Sequence, residues 1–146
     1  MLVRQILSMK DMGDNIVTIT PDSTVMDASK LLAEKRIGAV VVSEDGARPV
    51  GILSERDIVR ELGRQGPDIL SGKVASLMTR KVSTCSSGED TLAVLERMTE
   101  GRFRHLPVLD DDGKMIGIVS IGDAVSARLK ELGDEKDALT GMIMGT

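Results

Sequence analysis

The sequence predicts an α/β protein built from two small intertwined halves, and three observations carry that prediction. The first is an internal repeat. Sliding the chain against itself by 66 residues, without a gap, brings Met12 onto Met78, Thr18 onto Thr84, Arg36 onto Arg102, Val42 onto Val108, Ser54 onto Ser120 and Asp57 onto Asp123. The second is a shared grammar, because each copy reads as strand, helix, strand, strand, helix. The third is size. The chain has 146 residues, 41% hydrophobic and 29% charged, the balance of a globular protein. One half of roughly 60 residues buries too little surface to stand alone, so the copies are expected to share one interface and one core.

Taken in order, Val3, Ile6 and Leu7 suggest a short amphipathic lead-in helix, and Ile16 to Ile19 a brief strand. Thr24-Val-Met-Asp27 has capping-box spacing and opens a helix whose apolar residues Val25, Ala28, Leu31 and Leu32 follow one face. Ala39 to Val42 and Val50 to Leu53 are β-rich runs joined through Glu44-Asp45-Gly46. The second copy repeats them as Leu106 to Leu109 and Met115 to Val119, around Asp110-Asp111-Asp112-Gly113. Helices are then predicted to start near Asp57 and Asp123. The segment G-R-Q-G-P-D-I-L-S-G reads as a linker. The expected division is residues 1–62 for the first repeat with its lead-in helix, 63–72 for the linker, 73–132 for the second repeat and 133–146 for a tail. Leu129, Leu132, Leu139, Met142 and Ile143 suggest an apolar stripe interrupted around Gly133, which would pack on the body or on a second subunit; a membrane-surface helix is the alternative.

Composition excludes several functions. The longest aliphatic run, Ala39 to Val42, is too short to span lipid, and the N-terminus mixes charges into its apolar residues, so a cytoplasmic protein without a membrane partner is expected. Cys85 is the only cysteine, which precludes an internal disulfide, and a buried structural thiol is expected there. A chain with no Trp, no Tyr, a single Phe and a net charge of −4 lacks both the stacking platform and the basic excess of a nucleic-acid binder. His105 is the sole histidine, so no His-based triad or multi-His metal site forms within the chain, and there is neither a Walker loop nor a Gly-x-Gly-x-x-Gly. Asp110-Asp111-Asp112-Gly113 lacks the later ligands of a calcium loop and is read as a hairpin turn. No catalytic constellation is evident, and the expectation is that the protein is not an enzyme.

The informative segments are G-I-L-S-E-R-D at 51–57 and G-I-V-S-I-G-D at 117–123. Each runs from a strand into a helix, where free N–H groups and the positive end of the helix dipole favour anions. Asp57 or Asp123 there can accept two hydrogen bonds from a ribose diol, with Ser54 or Ser120 beside it. The alternative is plain: S-x-x-D is also capping-box spacing and starts a helix without any ligand. Arg102, Arg104 and His105 concentrate positive charge in an acidic chain, with Lys35, Arg36, Arg56 and Arg60 as a weaker counterpart. Such a cluster is either a solvated face or a phosphate site.

The two G-I-x-S-x-x-D segments, I-V-T-I-T-P-D-S-T-V at 16–25 with V-S-T-C-S-S-G-E-D-T at 82–91, and R-F-R-H-L-P-V at 102–108 resemble a tandem pair of cystathionine-β-synthase-type (CBS) domains, a Bateman module, over about residues 3–130. The resemblance, nearest to stand-alone bacterial pairs, implies two intertwined CBS repeats related by a pseudo-twofold axis. It implies a regulatory sensor that binds AMP, ADP, ATP or NAD(H), with S-adenosylmethionine as a further family ligand, in clefts between the repeats, with no obligatory cofactor. By motif position Asp57, Asp123, Ser54 and Ser120 would hold ribose. Adenine would lie against Ile16, Val17, Ile37, Ala39 and Ile118 in the Asp123 site, and against Val82, Ser83, Phe103, His105 and Ile52 in the Asp57 site. Arg56, Arg104 and His105 would face phosphate. A homodimer formed through helices, acting on an unidentified regulated protein, is also implied.

The copies are not equivalent: Arg56 is matched by Gly122, Gly38-Ala39 by Arg104-His105 and Val41 by Pro107, so the two sites are expected to differ in affinity or ligand. Two other readings stay open, a ligand-free interaction module and a weak nucleotide hydrolase.

Overall fold

The computed structural model describes residues 1–10 and 16–144, and it forms two three-stranded sheets with helices packed on them. Helix α1 (Val3–Met9) leads into strand β1 (Thr18–Ile19), helix α2 (Val25–Lys35), strands β2 (Ala39–Val42) and β3 (Gly51–Ser54), and helix α3 (Glu55–Gln65). A 3-10 turn (Pro67–Ser71) and helix α4 (Val74–Leu77) lead into β4 (Cys85–Ser86), α5 (Thr91–Gly101), β5 (His105–Leu109), β6 (Met115–Ser120) and α6 (Ile121–Met144). In each sheet the short first strand runs parallel to the second, which pairs antiparallel with the third. The registers match across the repeat: Ala39 faces Ser54 as His105 faces Ser120.

Local chemistry sets the helix ends. Thr24 Oγ1 accepts from the Asp27 amide at 3.0 Å, and Asp90 caps α5 through the Leu92 amide. Helices α2 and α5 both stop at an arginine in the left-handed region, Arg36 at φ 55° and Arg102 at φ 56°. The aspartates of both hairpins hold their turns, since Asp45 Oδ1 accepts from the Ala47 and Arg48 amides and Asp110 Oδ1 from those of Asp112 and Lys114. The Asp110–Gly113 segment is therefore the hairpin turn expected of it. Among the described residues no group of His, Cys, Asp or Glu could hold a metal.

The intertwining has a specific form, and it differs from a single shared core. Two core clusters form, each finished by the lead-in helix of the other repeat. Val3 and Ile6 of α1 pack with Cys85, Val94, Leu106 and Val119 of the second half, while Val74 and Met78, from α4 and the residue after it, pack with Val25, Val40 and Leu53 of the first. Backbone bonds repeat the exchange. Val3 N–H donates to the Glu89 carbonyl and Arg4 N–H to that of Ser87, both at 2.9 Å; in the counterpart, Val74 N–H donates to Ser23 and Ala75 N–H to Pro21 at 2.8 and 3.0 Å. These bonds satisfy first-turn amides that a helix cannot satisfy itself. Two glycines of the repeated motif make room for the exchange. A Cβ at Gly117 would come within 2.7 Å of Leu7 Cδ2, and one at Gly51 within 2.5 Å of Met78 Sδ.

Three boundaries depart from expectation. Strand β1 covers two residues where four were predicted, because its ladder with β2 includes only Thr18 and Ile19. The first repeat's last helix, α3, continues to Gln65, past the expected end at 62, and the linker that follows turns at Gly66 with φ 85° and buries Ile69 of the 3-10 turn. Helix α6 runs unbroken through Gly133, and Leu139, Met142 and Ile143 are exposed on this chain, which leaves the second-subunit arm of the expectation for them. Cys85 is buried as expected, and burial, with the nearby Glu89 charge, pushes its thiol up to about 11. No helix of the described residues is long and apolar enough to cross a membrane.

Candidate functional site

A cavity of about 540 Å³ opens where the two repeats meet, a size typical of small-molecule sites. Its walls come from both halves. Ile52, Ser54, Arg56 and Asp57 enter from the β3–α3 junction, and Val82, Ser83, Phe103, Arg104 and His105 from the segments before β4 and before and within β5. Every residue expected around Asp57 therefore meets in one place. The junction is held by a backbone bridge between Ile52 and Thr79, whose N–H and carbonyl groups exchange bonds of 3.0 and 2.9 Å. That bridge fixes the segment carrying Val82 and Ser83 beside β3.

The capping alternative is realised without using up the carboxylate. Ser54 Oγ accepts from the Asp57 amide at 3.2 Å while Asp57 Oδ2 accepts from the Ser54 amide at 3.0 Å, a closed capping box. Oδ1 takes no part in it and bonds instead to Arg60 at 3.0 Å, a guanidinium 51% exposed. Of this pair only the guanidinium is exposed, the Asp57 side chain being 13% exposed, so Arg60 can turn out to solvent and leave Oδ1 to a diol. Ser120 and Asp123 close the same box at 3.0 and 2.9 Å.

Charge distinguishes the cavity from the rest of the chain. Arg56, Arg60, Lys81, Arg102 and Arg104 line it against the carboxylates Glu55 and Asp57, although the chain as a whole carries −4. Five exposed cations around one open cleft suit a phosphorylated ligand. Burial, reinforced by Arg104, holds His105 below the ordinary histidine range, so the ring is neutral near pH 7. Because the folded value is lowered, stability tied to His105 is fully present above about pH 6.5 and is lost as pH falls through the folded value. His105 is the sole histidine, so a single pair of imidazole C–H resonances should titrate in a proton NMR series. Its midpoint should lie below about 6.5 in the free protein and rise when a phosphate group binds beside it.

Among the described residues the set predicted for the second site is gathered less fully, and the counterparts of Thr79 and Lys81 there, Gly13 and Asn15, lie outside them. Ala39 lines the large cavity, while Ile37 lines a shallower one of about 500 Å³ between α2 and α3. Ser120 faces the large cavity as well. Neither space gathers Ile16, Val17 and Ile118 with them. Asp123 is engaged within the chain: Lys10 Nζ lies 2.6 Å from its Oδ2 and 2.7 Å from the Ile118 carbonyl. Burial opposes the Asp123 charge, but the hydrogen bonds from Lys10 and the Ser120 amide, with the Lys10 charge, hold its carboxyl below the usual range. Lys10, Thr79 and Lys81 were not singled out in the sequence because none belongs to a motif; the repeat places Ser76 opposite Lys10.

Two crossed repeats, a cleft between them and a paired Ser-x-x-Asp at each strand-to-helix junction define a tandem α/β module. The chain belongs to the CBS domain family, which matches residues 3–64 and 74–130. It is 40% identical over 130 residues to a mitochondrial CBS domain-containing protein, CBSX3, of Arabidopsis thaliana, covering 86% of this chain and 63% of that longer protein. Among solved structures it resembles a CBS-domain protein of Burkholderia ambifaria, at 43% identity and TM-score 0.82, covering 89% of this chain and 95% of that one. It also resembles the CBS domain pair of protein MJ0100 in complex with 5′-methylthioadenosine and S-adenosyl-L-methionine, at 26% identity and TM-score 0.73, covering 88% and 98%.

Proposed function

We propose that this chain is a non-catalytic regulatory module that binds an adenosine nucleotide, AMP, ADP, ATP or NAD(H), in the cavity around Asp57. The observation that carries the proposal is the convergence, in one cleft between the repeats, of the Asp57 carboxylate, the wall of Ile52, Val82, Phe103 and His105, and five cations. The parts have complementary tasks. Asp57 Oδ1 accepts from the ribose diol, Ser54 and Ser83 offer hydroxyls, the apolar wall takes the purine, and Arg56 and Arg104 fork onto phosphate. The adenosyl ligands of MJ0100 support the class of ligand.

A ligand that touches both repeats can favour one relative arrangement only through its differential affinity for it, and a partner protein then reads the difference. Exposed apolar residues on α3 and α6, Val59, Val125, Leu129 and Leu132, support a homodimer formed through these helices. Thermal melts with AMP, ADP, ATP, NAD⁺ and NADH, followed by circular dichroism because the chain lacks Trp and Tyr, test the reading. A ligand at 100 times its Kd should add about 2.7 kcal/mol, or about 5–10 °C. Light scattering on the same sample should give twice the chain mass. Unmoved melts with all five nucleotides would leave the ligand-free interaction module as the better reading.

A further inference from the structure

The carboxylates that open α3 and α6 are equivalent by the repeat, yet they keep different company. Asp57 bonds to Arg60, three residues on along its own helix and half exposed. Asp123 has the uncharged Ser126 at that position and instead takes an ammonium from far away in the chain, Lys10, whose side chain is only 19% exposed. The adjoining strand is touched by the same ammonium, while the repeat counterpart of Thr79, Gly13, lies outside the described residues. In the first half the Ile52 carbonyl accepts from the Thr79 backbone at 2.9 Å; in the second, the equivalent Ile118 carbonyl accepts from Lys10 Nζ at 2.7 Å. One ammonium thus bridges the carboxylate and the strand edge at the second strand-to-helix junction.

From this juxtaposition we infer that Lys10 is a built-in occupant of the second half's carboxylate, so that the chain takes its nucleotide in the Asp57 cavity alone. The inference rests on the reading of Asp57 as a ribose-binding residue. Three physical points support it. Asp123 Oδ2 already accepts from both Lys10 and the Ser120 amide, so a diol would have only Oδ1, with the ammonium beside it. A diol arriving there would have to displace an ammonium, replacing a bond charged at both ends with bonds charged at the acceptor alone. Lys10 also cannot diffuse away, because α1, immediately before it, is pinned to the second half by its bonds to Ser87 and Glu89 and by Val3 and Ile6 in the core. The ammonium competes as an intramolecular group, at the high effective concentration that a short tether confers. Arg60, by contrast, can swing into solvent and leave Asp57 open.

Calorimetric titration of the intact protein with AMP, the moiety common to the nucleotides above, tests the inference. The wild type should bind one AMP per chain, Asp57→Ala none, Lys10→Met two, and the double variant one. A second AMP on the folded wild type, residual binding by Asp57→Ala, or a folded Lys10→Met that still takes one AMP would each overturn it. Should Lys10→Met fail to fold, the comparison of wild type with Asp57→Ala decides alone, because an open Asp123 site would still bind AMP in that variant. A wild type that binds neither AMP nor any of the other four nucleotides would remove the nucleotide reading itself, an outcome distinct from finding two; if another of the five binds instead, the same titrations are run with it.

Discussion

Asp57→Ala should remove nucleotide binding at the large cavity, weakening it at least about 100-fold, while leaving the protein folded. The carboxylate does two separable things. As part of the capping box with Ser54 it is worth about 0.5–2 kcal/mol of stability, a minor share of the ~5–15 kcal/mol that holds a typical domain together. As the acceptor for a ribose diol it makes hydrogen bonds with a charged partner, each worth about 1.5–3 kcal/mol, and two of them amount to a factor of about 100 or more. An opposing effect must be weighed, because deleting a negative charge leaves five cations facing a phosphorylated ligand with one carboxylate fewer. Coulomb energy at 4 Å is only about 1 kcal/mol in water, and the phosphate end of the ligand lies further from Asp57 than its ribose. Loss of the diol contacts therefore wins. Melts of the variant should begin slightly below the wild type and stay put when nucleotide is added. A variant that melts early yet shifts with nucleotide as the wild type does would restrict Asp57 to capping.

Much of this site was legible because it depends on local rules. Ser-x-x-Asp at a strand-to-helix junction closes a capping box in both repeats, and the spacing that announces the box also places a carboxylate at the cleft. The family resemblance supplied Val82, Ser83, Phe103, His105 and Ile52 as one wall, and they meet as one. What was not legible is what depends on distance along the chain. Nothing in M-L-V-R-Q-I-L-S-M-K distinguishes a lead-in helix that packs on its own repeat from one that crosses to the other. For the same reason Lys10 carries no signal in the sequence, since its partner is 113 residues away. The linker is a different case. Gly and Pro mark turns without telling an ordered turn from a flexible one, and Ile69 is buried within it. Gly133 interrupts a pattern in sequence but not the α6 backbone, because a lone glycine costs a helix only about 1 kcal/mol.

The crossed lead-in helices carry a second strong expectation, which concerns cooperativity. Leu53 is fully buried on β3 in the first cluster, and Leu106 is fully buried on β5 in the second. Truncating either to alanine should cost about 2–5 kcal/mol, the transfer energy of the lost methyls plus the cavity left behind. The informative result is the shape of the melt. If the halves were independent, Leu53→Ala would split the transition, one step falling and the other keeping the wild-type midpoint. Here α1 finishes the second core and α4 the first, so melting one half releases a helix and several backbone bonds from the other. A half of roughly 60 residues is already marginal and cannot survive that loss. Both variants should therefore show a single transition at a lowered midpoint, with calorimetric and van't Hoff enthalpies that agree. Two resolved transitions in Leu53→Ala would mean that the exchanged helices contribute little, and that nucleotide in the cleft, not the crossing, is what joins the repeats.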